Sequence, residues 1–293
     1  MGKRSFNVLV ATDASPQARS ALATTLAFPW PDGARVRGVM VSGVPSPKRW
    51  RRRARAALIP WLRHEAARVQ RTLKRRWPDA EVLIVNPPVV KAIVEQAQKW
   101  RARVIVVGSR GRGILHRTLL GSVSRDVMHE ADCSVLVIKR TVRSPRRLLI
   151  GLDGSIRSRG AVAFASRLSP PPGGRVTLLA VVEPTSSPSI GTLPASIRAM
   201  LATELAALHR ERMARARREV STAARRLTRA GWAVEKVVRR GIPLQELLKT
   251  AATKRADITI VGARGATGLK RLLLGSVAEG TLAHSPGSVL VVK

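Results

Sequence analysis

The sequence predicts an α/β protein of two tandem domains, each built on a doubly wound parallel sheet. Its length of 293 residues fits two domains better than one, since a domain averages about 150 residues. Segments of the first half also recur in the second half in the same order. Both halves alternate short Val-, Ile- and Leu-rich runs with helical patterns, which is typical of parallel strands covered by helices on both faces.

Four pairs of similar segments establish the duplication. In chain order they are Asn7–Ser15 with Arg147–Ser155, Val104–Gly111 with Ile258–Gly265, Leu119–Val123 with Leu273–Val277, and Ser134–Lys139 with Ser288–Lys293. The first pair is offset by 140 residues and the other three by 154, so the second copy has gained 14 residues. We predict that these form a loop insertion at the Pro/Ser-rich stretch Pro184–Ser196. The predicted domains cover residues 1–140 and 147–293.

Apolar runs and helical spacing predict the elements of each copy. The predicted strands of the first copy are Phe6–Ala11, Val36–Val41, Glu81–Val85, Val104–Val107 and Val135–Ile138. The helices between them are Ser15–Phe28, a long helix within Pro47–Trp77, Val89–Trp100 and about Ser122–Ala131. The second copy repeats the strands at Leu148–Gly151, Val176–Val182, Ala233–Val238, Ile258–Val261 and Val289–Val292. In such a sheet, ligands bind beyond the carboxyl ends of the strands.

Net charge is the unusual feature of the composition, because 53 Lys and Arg against 18 Asp and Glu give +35. Such a charge favours an anionic partner such as nucleic acid, an anionic membrane surface or phosphate groups. The basic residues are densest in Lys48–Arg76 and Arg198–Arg229, which we interpret as helices with Arg-rich solvent faces. A basic surface for nucleic acid or anionic lipid is the alternative, but no Tyr and only three Phe are present for stacking on bases.

The composition also excludes several classes of protein. No apolar run approaches the roughly 18 residues of a membrane-spanning helix. The single cysteine, Cys133, excludes an internal disulfide and is interpreted as a buried, unreactive thiol, and the five His show no zinc-ligand spacing. We therefore predict a cytoplasmic protein with no membrane association and no metal-ligating residues.

An aspartate follows the first strand of each copy, Asp13 in the first and Asp153 in the second. A carboxylate at the carboxyl end of that strand can accept hydrogen bonds from the hydroxyl groups of a ribose. The same side chain could instead cap the following helix or lie in an exposed loop. The residues alone leave these alternatives open.

A glycine motif follows the fourth strand of each copy. It consists of two glycines three positions apart, nine further residues and a Gly-Ser pair: Gly108, Gly111, Gly121 and Ser122, then Gly262, Gly265, Gly275 and Ser276. Glycine lets phosphate oxygens approach backbone N–H groups, and a Gly-Ser pair that begins a helix offers free N–H groups to an anion. Simple turns and a helix cap are the alternative, which the identical spacing in both copies disfavours. The motif is neither a P-loop nor the dinucleotide-binding fingerprint.

At this motif the sequence resembles the universal stress protein family in its tandem-domain form, over essentially the whole chain. Gly-2x-Gly-9x-Gly-Ser is that family's ATP-binding signature. The segments Val261–Val277 and Gly241–Pro243 are also similar to the sequences typical of the family. The resemblance implies five-stranded Rossmann-like domains of the adenine nucleotide alpha hydrolase-like type. It implies ATP as the ligand, alone or with Mg²⁺ bound through the phosphates.

The resemblance also implies a nucleotide-binding role for eight residues in each copy. Those of the first copy are Ala11, Asp13, Val41, Gly108, Gly111, Gly121, Ser122 and Val123. Those of the second copy are Gly151, Asp153, Val181, Gly262, Gly265, Gly275, Ser276 and Val277. In each set the first residue would lie beside the nucleotide, the aspartate would meet ribose and adenine, and the next valine would present backbone groups to the adenine edge. The remaining residues would hold ribose and phosphates.

The two copies differ around the motif, and we therefore expect different affinities. The first has Pro87–Val89 where the second has Gly241–Pro243, which would alter one wall of its site. The loop of the first copy also contains Arg112, His116 and Arg117, against Ala266, Lys270 and Arg271, so two of these three positions differ. The family further implies pairing through the last strands, within one chain or in a homodimer.

No catalytic residue is assigned from the sequence. Asp13 and Asp153 are the only acids that we place in the sites, and His116 is the only nearby histidine. The main hypothesis is an ATP-binding protein with a stress-response or regulatory role. A slow ATPase and a basic nucleic-acid-binding module are the alternatives.

Overall fold

A ten-stranded sheet runs through both copies in the computed structural model, which describes residues 5–41, 51–86, 88–110, 120–184, 194–265 and 274–293, with the backbone alone for 51–58. The strands of the first copy are β1 (Asn7–Thr12), β2 (Arg35–Val41), β3 (Glu81–Val85), β4 (Val104–Gly108) and β5 (Ser134–Ile138). Those of the second copy are β6 (Arg147–Leu152), β7 (Arg175–Val182), β8 (Ala233–Arg240), β9 (Ile258–Gly262) and β10 (Ser288–Val292).

Helices connect these strands in the alternation that the sequence predicts. They are α1 (Pro16–Ala27), α2 (Arg51–Lys74), α3 (Val89–Lys99), α4 (Ser122–Glu130), α5 (Ile156–Ala165), α6 (Ala195–Arg229), α7 (Pro243–Thr253) and α8 (Ser276–His284). One apolar core contains residues of α1, α2, α5 and α6, and a second contains residues of α3, α4, α7 and α8. The two cores lie on opposite faces of the sheet, so the doubly wound architecture is confirmed.

The strand order is β3-β2-β1-β4-β5-β10-β9-β6-β7-β8. Within each copy all neighbouring strands are parallel, and the connections diverge at the first strand, which pairs with the second strand on one side and the fourth on the other. The carboxyl ends of the first and fourth strands therefore form a topological switch point, where ligands bind in sheets of this kind.

The two copies meet through β5 and β10, which pair antiparallel with Leu136 opposite Leu290. Both strands are buried along their whole length, as expected of continuous Val, Leu and Ile runs. The last strands thus pair within one chain, which is one of the two arrangements that the sequence left open.

Helix α6 is longer than its counterpart, with 35 residues against 24 in α2. The loop insertion that we predict at Pro184–Ser196 lies mostly outside the described residues, and its last two residues, Ala195 and Ser196, begin α6. The stretch from Ala195 is rich in Ala, Leu, Glu and Arg, which have high helix propensity, and α6 runs for about six turns before its first buried residue, Ala216.

Within the described ranges, no helix is both long enough and apolar enough to cross a membrane.

Candidate functional site

A short turn joins the first strand to the first helix in each copy. Asp13 Oδ1 accepts the backbone N–H of Ser15 at 2.9 Å, and Asp153 Oδ1 accepts that of Ser155 at 3.0 Å. The serines are the N-caps, since Ser15 Oγ accepts the N–H of Ala18 at 3.1 Å. The aspartates therefore hold the turn and do not cap the helix, which decides against one of the alternatives open at the sequence level.

The middle residue of this turn has a left-handed backbone in both copies. Gly154 has φ +76°, which glycine adopts without steric cost, whereas Ala14 has φ +62° and incurs that cost. A Cβ at position 154 would lie 2.6 Å from Glu219 Oε1, so the α6 side chain covers this turn. Glu65, at the equivalent position of α2, binds Arg68 at 2.7 Å instead.

The glycine that ends the fourth strand permits close packing of the first helix. A Cβ at Gly108 would lie 3.0 Å from the carbonyl carbon of Gln17, and one at Gly262 would lie 2.8 Å from Arg157 Cβ. Glycine at these positions thus brings the aspartate turn against the start of the glycine loop. This packing requirement is independent of any phosphate.

The Gly-Ser pair begins α4 and α8 next to the same loop. The N–H of Gly121 donates to the carbonyl of Ser109 at 2.8 Å, and that of Gly275 donates to Ala263 at 2.9 Å. Both glycines are N-cap residues and have no side-chain oxygen for the first-turn N–H groups. The N-termini of these helices are therefore suited to an anionic ligand.

The second glycine of the motif lies against the aspartate in the second copy. A Cβ at Gly265 would lie 2.9 Å from Asp153 Oδ2, so no larger residue fits without displacing the carboxylate. Gly111, its counterpart, lies outside the described residues, as do Arg112, His116 and Arg117 of the first loop and residues 266–273 of the second.

The remaining site candidates lie along the carboxyl edge of the sheet. Ala11 is 9% exposed in β1, and its counterpart Gly151 would bring a Cβ within 3.5 Å of Leu247. Val41 and Val181 are half-buried near the ends of the second strands. The last four candidates are the first two residues of α4 and α8. The serines, Ser122 and Ser276, are exposed, and the valines, Val123 and Val277, are half-buried.

Sequence reasoning missed the basic groups that the fold brings to this edge of the first copy. Burial and, secondarily, the charge of Arg110 lower the pKa of Lys139 to about 8. Arg110 itself follows β4, two residues after Gly108. The position of Glu219 beside the aspartate turn was also missed, although Glu219 and Glu65 are separated by the 154-residue offset of the repeat.

Comparisons with known proteins all point to one family. The model of the universal stress protein family matches residues 5–139 and again 145–293. A universal stress protein of Mycobacterium tuberculosis is 32% identical over 223 residues, which cover 72% of this chain and 68% of that protein. A universal stress protein of Methanocaldococcus jannaschii is 33% identical over 148 residues, covering 50% of this chain and 82% of the relative.

A solved structure shows the same fold over the full length. The crystal structure of a universal stress protein from Archaeoglobus fulgidus superposes with a TM-score of 0.66 and covers 99% of both chains at 20% identity. At that identity the likeness concerns the fold.

Proposed function

The chain belongs to the universal stress protein family, and from this premise we propose that each of its two copies binds an adenine nucleotide. ATP is the nucleotide implied by the resemblance of both copies to the family's Gly-2x-Gly-9x-Gly-Ser signature, which each contains in full. We propose further that nucleotide occupancy has a regulatory role in a stress response rather than a role in dedicated catalysis.

The contact between Gly265 and Asp153 is the observation that carries this proposal. The aspartate ends the first strand and the glycine follows the fourth, yet a Cβ at 265 would lie 2.9 Å from the carboxylate. The carboxylate and the backbone of the glycine loop therefore border one small space at the switch point. A ribose in that space could donate its hydroxyl groups to Asp153 while its phosphates extend along the loop.

The helix starts suit the phosphate end of such a ligand. The first-turn N–H groups of α4 and α8 receive no side-chain cap from Gly121 or Gly275. Phosphate oxygens could accept these N–H groups, and the exposed hydroxyls of Ser122 and Ser276 would add a donor in each copy. A Cβ at Gly121 would lie 3.3 Å from Arg110 Cα, so a larger residue would disturb this arrangement.

The residues fit binding better than hydrolysis. Each motif aspartate accepts a backbone N–H of its own turn, which gives it a positioning role. Among the described residues, no group of three or more His, Cys, Asp or Glu is placed to hold a metal. A Mg²⁺ ion that accompanies ATP would therefore be held chiefly by phosphate oxygens.

The direct test measures bound nucleotide. The purified protein is denatured and any released nucleotide is identified by chromatography and mass spectrometry. The nucleotide-free protein is then titrated with ATP by calorimetry, with GTP as the comparison. We expect up to two equivalents of ATP and a rise in Tm on binding. If no nucleotide is released and ATP neither binds nor raises Tm, the proposal is wrong.

The duplication supplies a matched control. Gly121→Val should remove one equivalent and leave the other, and Gly275→Val should do the converse. Loss of neither equivalent would show that the phosphates bind elsewhere. ATP turnover that disappears in the Asp13→Ala, Asp153→Ala double variant would indicate an ATPase instead. Nucleic-acid binding with a steep salt dependence, unchanged by those substitutions, would favour a basic binding module.

A further inference from the structure

A cavity of about 400 Å³ lies between the two copies, at the amino ends of β4 and β5, the edge of the first copy opposite to its candidate nucleotide site. Helix α5 and the end of β10 complete its wall. Its floor is apolar and includes buried Phe6, Ala97, Phe164 and Val292. The volume is within the range of pockets that hold small organic molecules, about 300–1,000 Å³.

The rim of the cavity is basic. Arg101, Arg103 and Arg167 line it with exposed side chains, and their guanidinium groups have no hydrogen bond or ion pair to any described residue. One acid, Asp132, is also present and accepts a hydrogen bond from Gln98 at 2.9 Å. Three unpaired guanidinium groups around an apolar floor create a surface that is complementary to an anion with an apolar body.

The Nζ of Lys293 also belongs to the wall, but it already has protein partners. It donates to the carbonyl oxygens of His129 and Ala131 at the end of α4. Lys293 therefore closes the cavity beside β10 and adds positive charge, while the three arginines supply the donors for a ligand.

The duplicated fold contains an equivalent corner, and there a linker residue packs at the corresponding place. Thr24 corresponds to Phe164, and Thr24 Oγ1 accepts the backbone N–H of Val142, a buried residue of the linker between the copies, at 3.0 Å. Asp257 corresponds to Arg103 and pairs with Arg147 at 2.8 Å. One corner thus has a linker and a closed ion pair, and the other has a cavity and an arginine whose guanidinium contacts no charged partner in the described part of the chain.

Cys133 provides a reporter inside the cavity. It is the only cysteine in the sequence, it lines the cavity and it is half-buried. Burial raises the pKa of its thiol to about 11, so its reaction with alkylating reagents is slow at neutral pH and faster in alkaline solution.

We propose that this cavity is a binding site for a small organic anion, an aromatic or aliphatic body that carries one carboxylate or sulfonate group. The apolar body contacts Phe6 and Phe164, and the anionic group accepts hydrogen bonds from the arginines of the rim. The site is separate from the proposed nucleotide sites, and its existence does not depend on them.

Anilinonaphthalene sulfonate is a suitable probe because its fluorescence increases in apolar surroundings. Phenylnaphthylamine has the same rings without the sulfonate and is the matched ligand control. We expect saturable binding of one equivalent of the sulfonate, with about tenfold weaker binding of the uncharged analogue. Binding of the sulfonate should slow alkylation of Cys133 by N-ethylmaleimide, measured near pH 9 by intact-protein mass spectrometry. Equal binding of the two probes, or unchanged alkylation at saturation, would contradict the proposal.

Two pairs of variants locate the binding. Arg103→Gln with Arg167→Gln should weaken sulfonate binding about tenfold. Arg229→Gln with Arg255→Gln removes the same charge from exposed positions outside the cavity and should leave binding unchanged.

Gly160→Met projects a side chain into the cavity from α5, whereas Gly160→Ala adds one methyl group that would lie 3.6 Å from Val292. We expect the methionine variant to lose binding and the alanine variant to retain it, with circular dichroism and Tm confirming folding. Equal affinity in all four would overturn the assignment.

Discussion

The Nζ of Lys139 donates a hydrogen bond to the carbonyl oxygen of Ser285 at 2.8 Å, which links the end of β5 in the first copy to the C-terminus of α8 in the second. Lys293 does the reverse, donating to the carbonyl oxygens of His129 and Ala131 at the end of α4. Each helix that begins at a proposed phosphate site therefore ends against a lysine of the other copy. A cation at a helix C-terminus also interacts favourably with the helix dipole.

The lowered pKa of Lys139 gives stability a defined pH dependence. Its pKa is about 8 in the folded protein and 10.5 in the unfolded chain, chiefly because burial disfavours the charged form. Between these values the unfolded state binds more protons, so the Lys139 contribution to the free energy of unfolding rises with pH. Well below pH 8 both states are protonated and the contribution is constant.

We expect the difference in unfolding free energy between the wild type and Lys139→Met to increase from pH 8 to 10.5 in urea titrations. The subtraction removes the effect of other titrating groups. For Lys293→Met, the difference in unfolding free energy from the wild type should also increase with pH, because burial also lowers the pKa of Lys293. A difference that stays flat or falls over this interval would contradict the assignment of the pH dependence to these lysines.

Asp257 joins the linker to the second copy, and we expect Asp257→Asn to be destabilising. The carboxylate is 5% exposed, accepts the backbone N–H groups of Arg146 and Arg147 at 3.1 and 2.9 Å, and pairs with the Arg147 guanidinium. The asparagine keeps one acceptor oxygen but loses the charge, so the loss should be about 1.5–3 kcal/mol in urea unfolding. Arg147→Met should lose less, because the arginine side chain is 45% exposed. Equal losses would indicate that the salt bridge, and not the backbone contacts, dominates.

The repeat in the sequence was sufficient to predict a parallel sheet in each copy, whereas pairing through the last strands was implied by the resemblance to the family. All the side chains of Val104–Val107 and Val289–Val292 are apolar, so neither face of these strands is suited to contact with water. Burial on both faces, as in a parallel sheet covered by helices, was therefore predicted. The helix over Arg198–Arg229 was predicted, and its first two residues, Ala195 and Ser196, were missed because Pro and Ser upstream suggested a loop.

The contacts of the lysines could not be predicted in the same way. Lys139 and Lys293 are equivalent in the repeat, but their partners are backbone carbonyls of the other copy, which have no sequence signal. The sequence singled out Gly108 and Gly262 for nucleotide binding, which stays a prediction, and it did not indicate their role in packing. The clash that requires them, with the start of α1 or α5, becomes visible only when the helix is packed on the sheet.

The turn after the first strand allows a reciprocal test of backbone strain. Ala14 and Gly154 are equivalent and both have positive φ. We expect Ala14→Gly to be neutral or to stabilise by up to about 1 kcal/mol, because the relief of left-handed strain is partly offset by the greater entropy of glycine in the unfolded chain. Gly154→Ala should destabilise by about 1–2 kcal/mol, since it introduces that strain and a Cβ 2.6 Å from Glu219 Oε1. Urea unfolding of both variants gives the comparison, and destabilisation by Ala14→Gly would contradict the geometry of the turn.

Replacing the serine of each Gly-Ser pair tests whether its hydroxyl contacts the ligand, because the side chain has little role in packing. Ser276 and Ser122 are exposed at the first positions of α8 and α4, so their replacement should change stability by less than about 0.5 kcal/mol. Ser276→Ala should nevertheless weaken ATP binding about fivefold to tenfold at the second site, because one donor to the phosphates is lost. Calorimetry in the Gly121→Val background reports that site alone, and Ser122→Ala in the Gly275→Val background is the reciprocal measurement. Gly262→Ala should instead lower both stability and binding, since its Cβ would lie 2.8 Å from Arg157 Cβ and 2.9 Å from the Arg157 carbonyl carbon. An alanine at 276 that leaves affinity unchanged would remove the hydroxyl from the proposed phosphate contacts and leave the helix N–H groups as the anion-binding element.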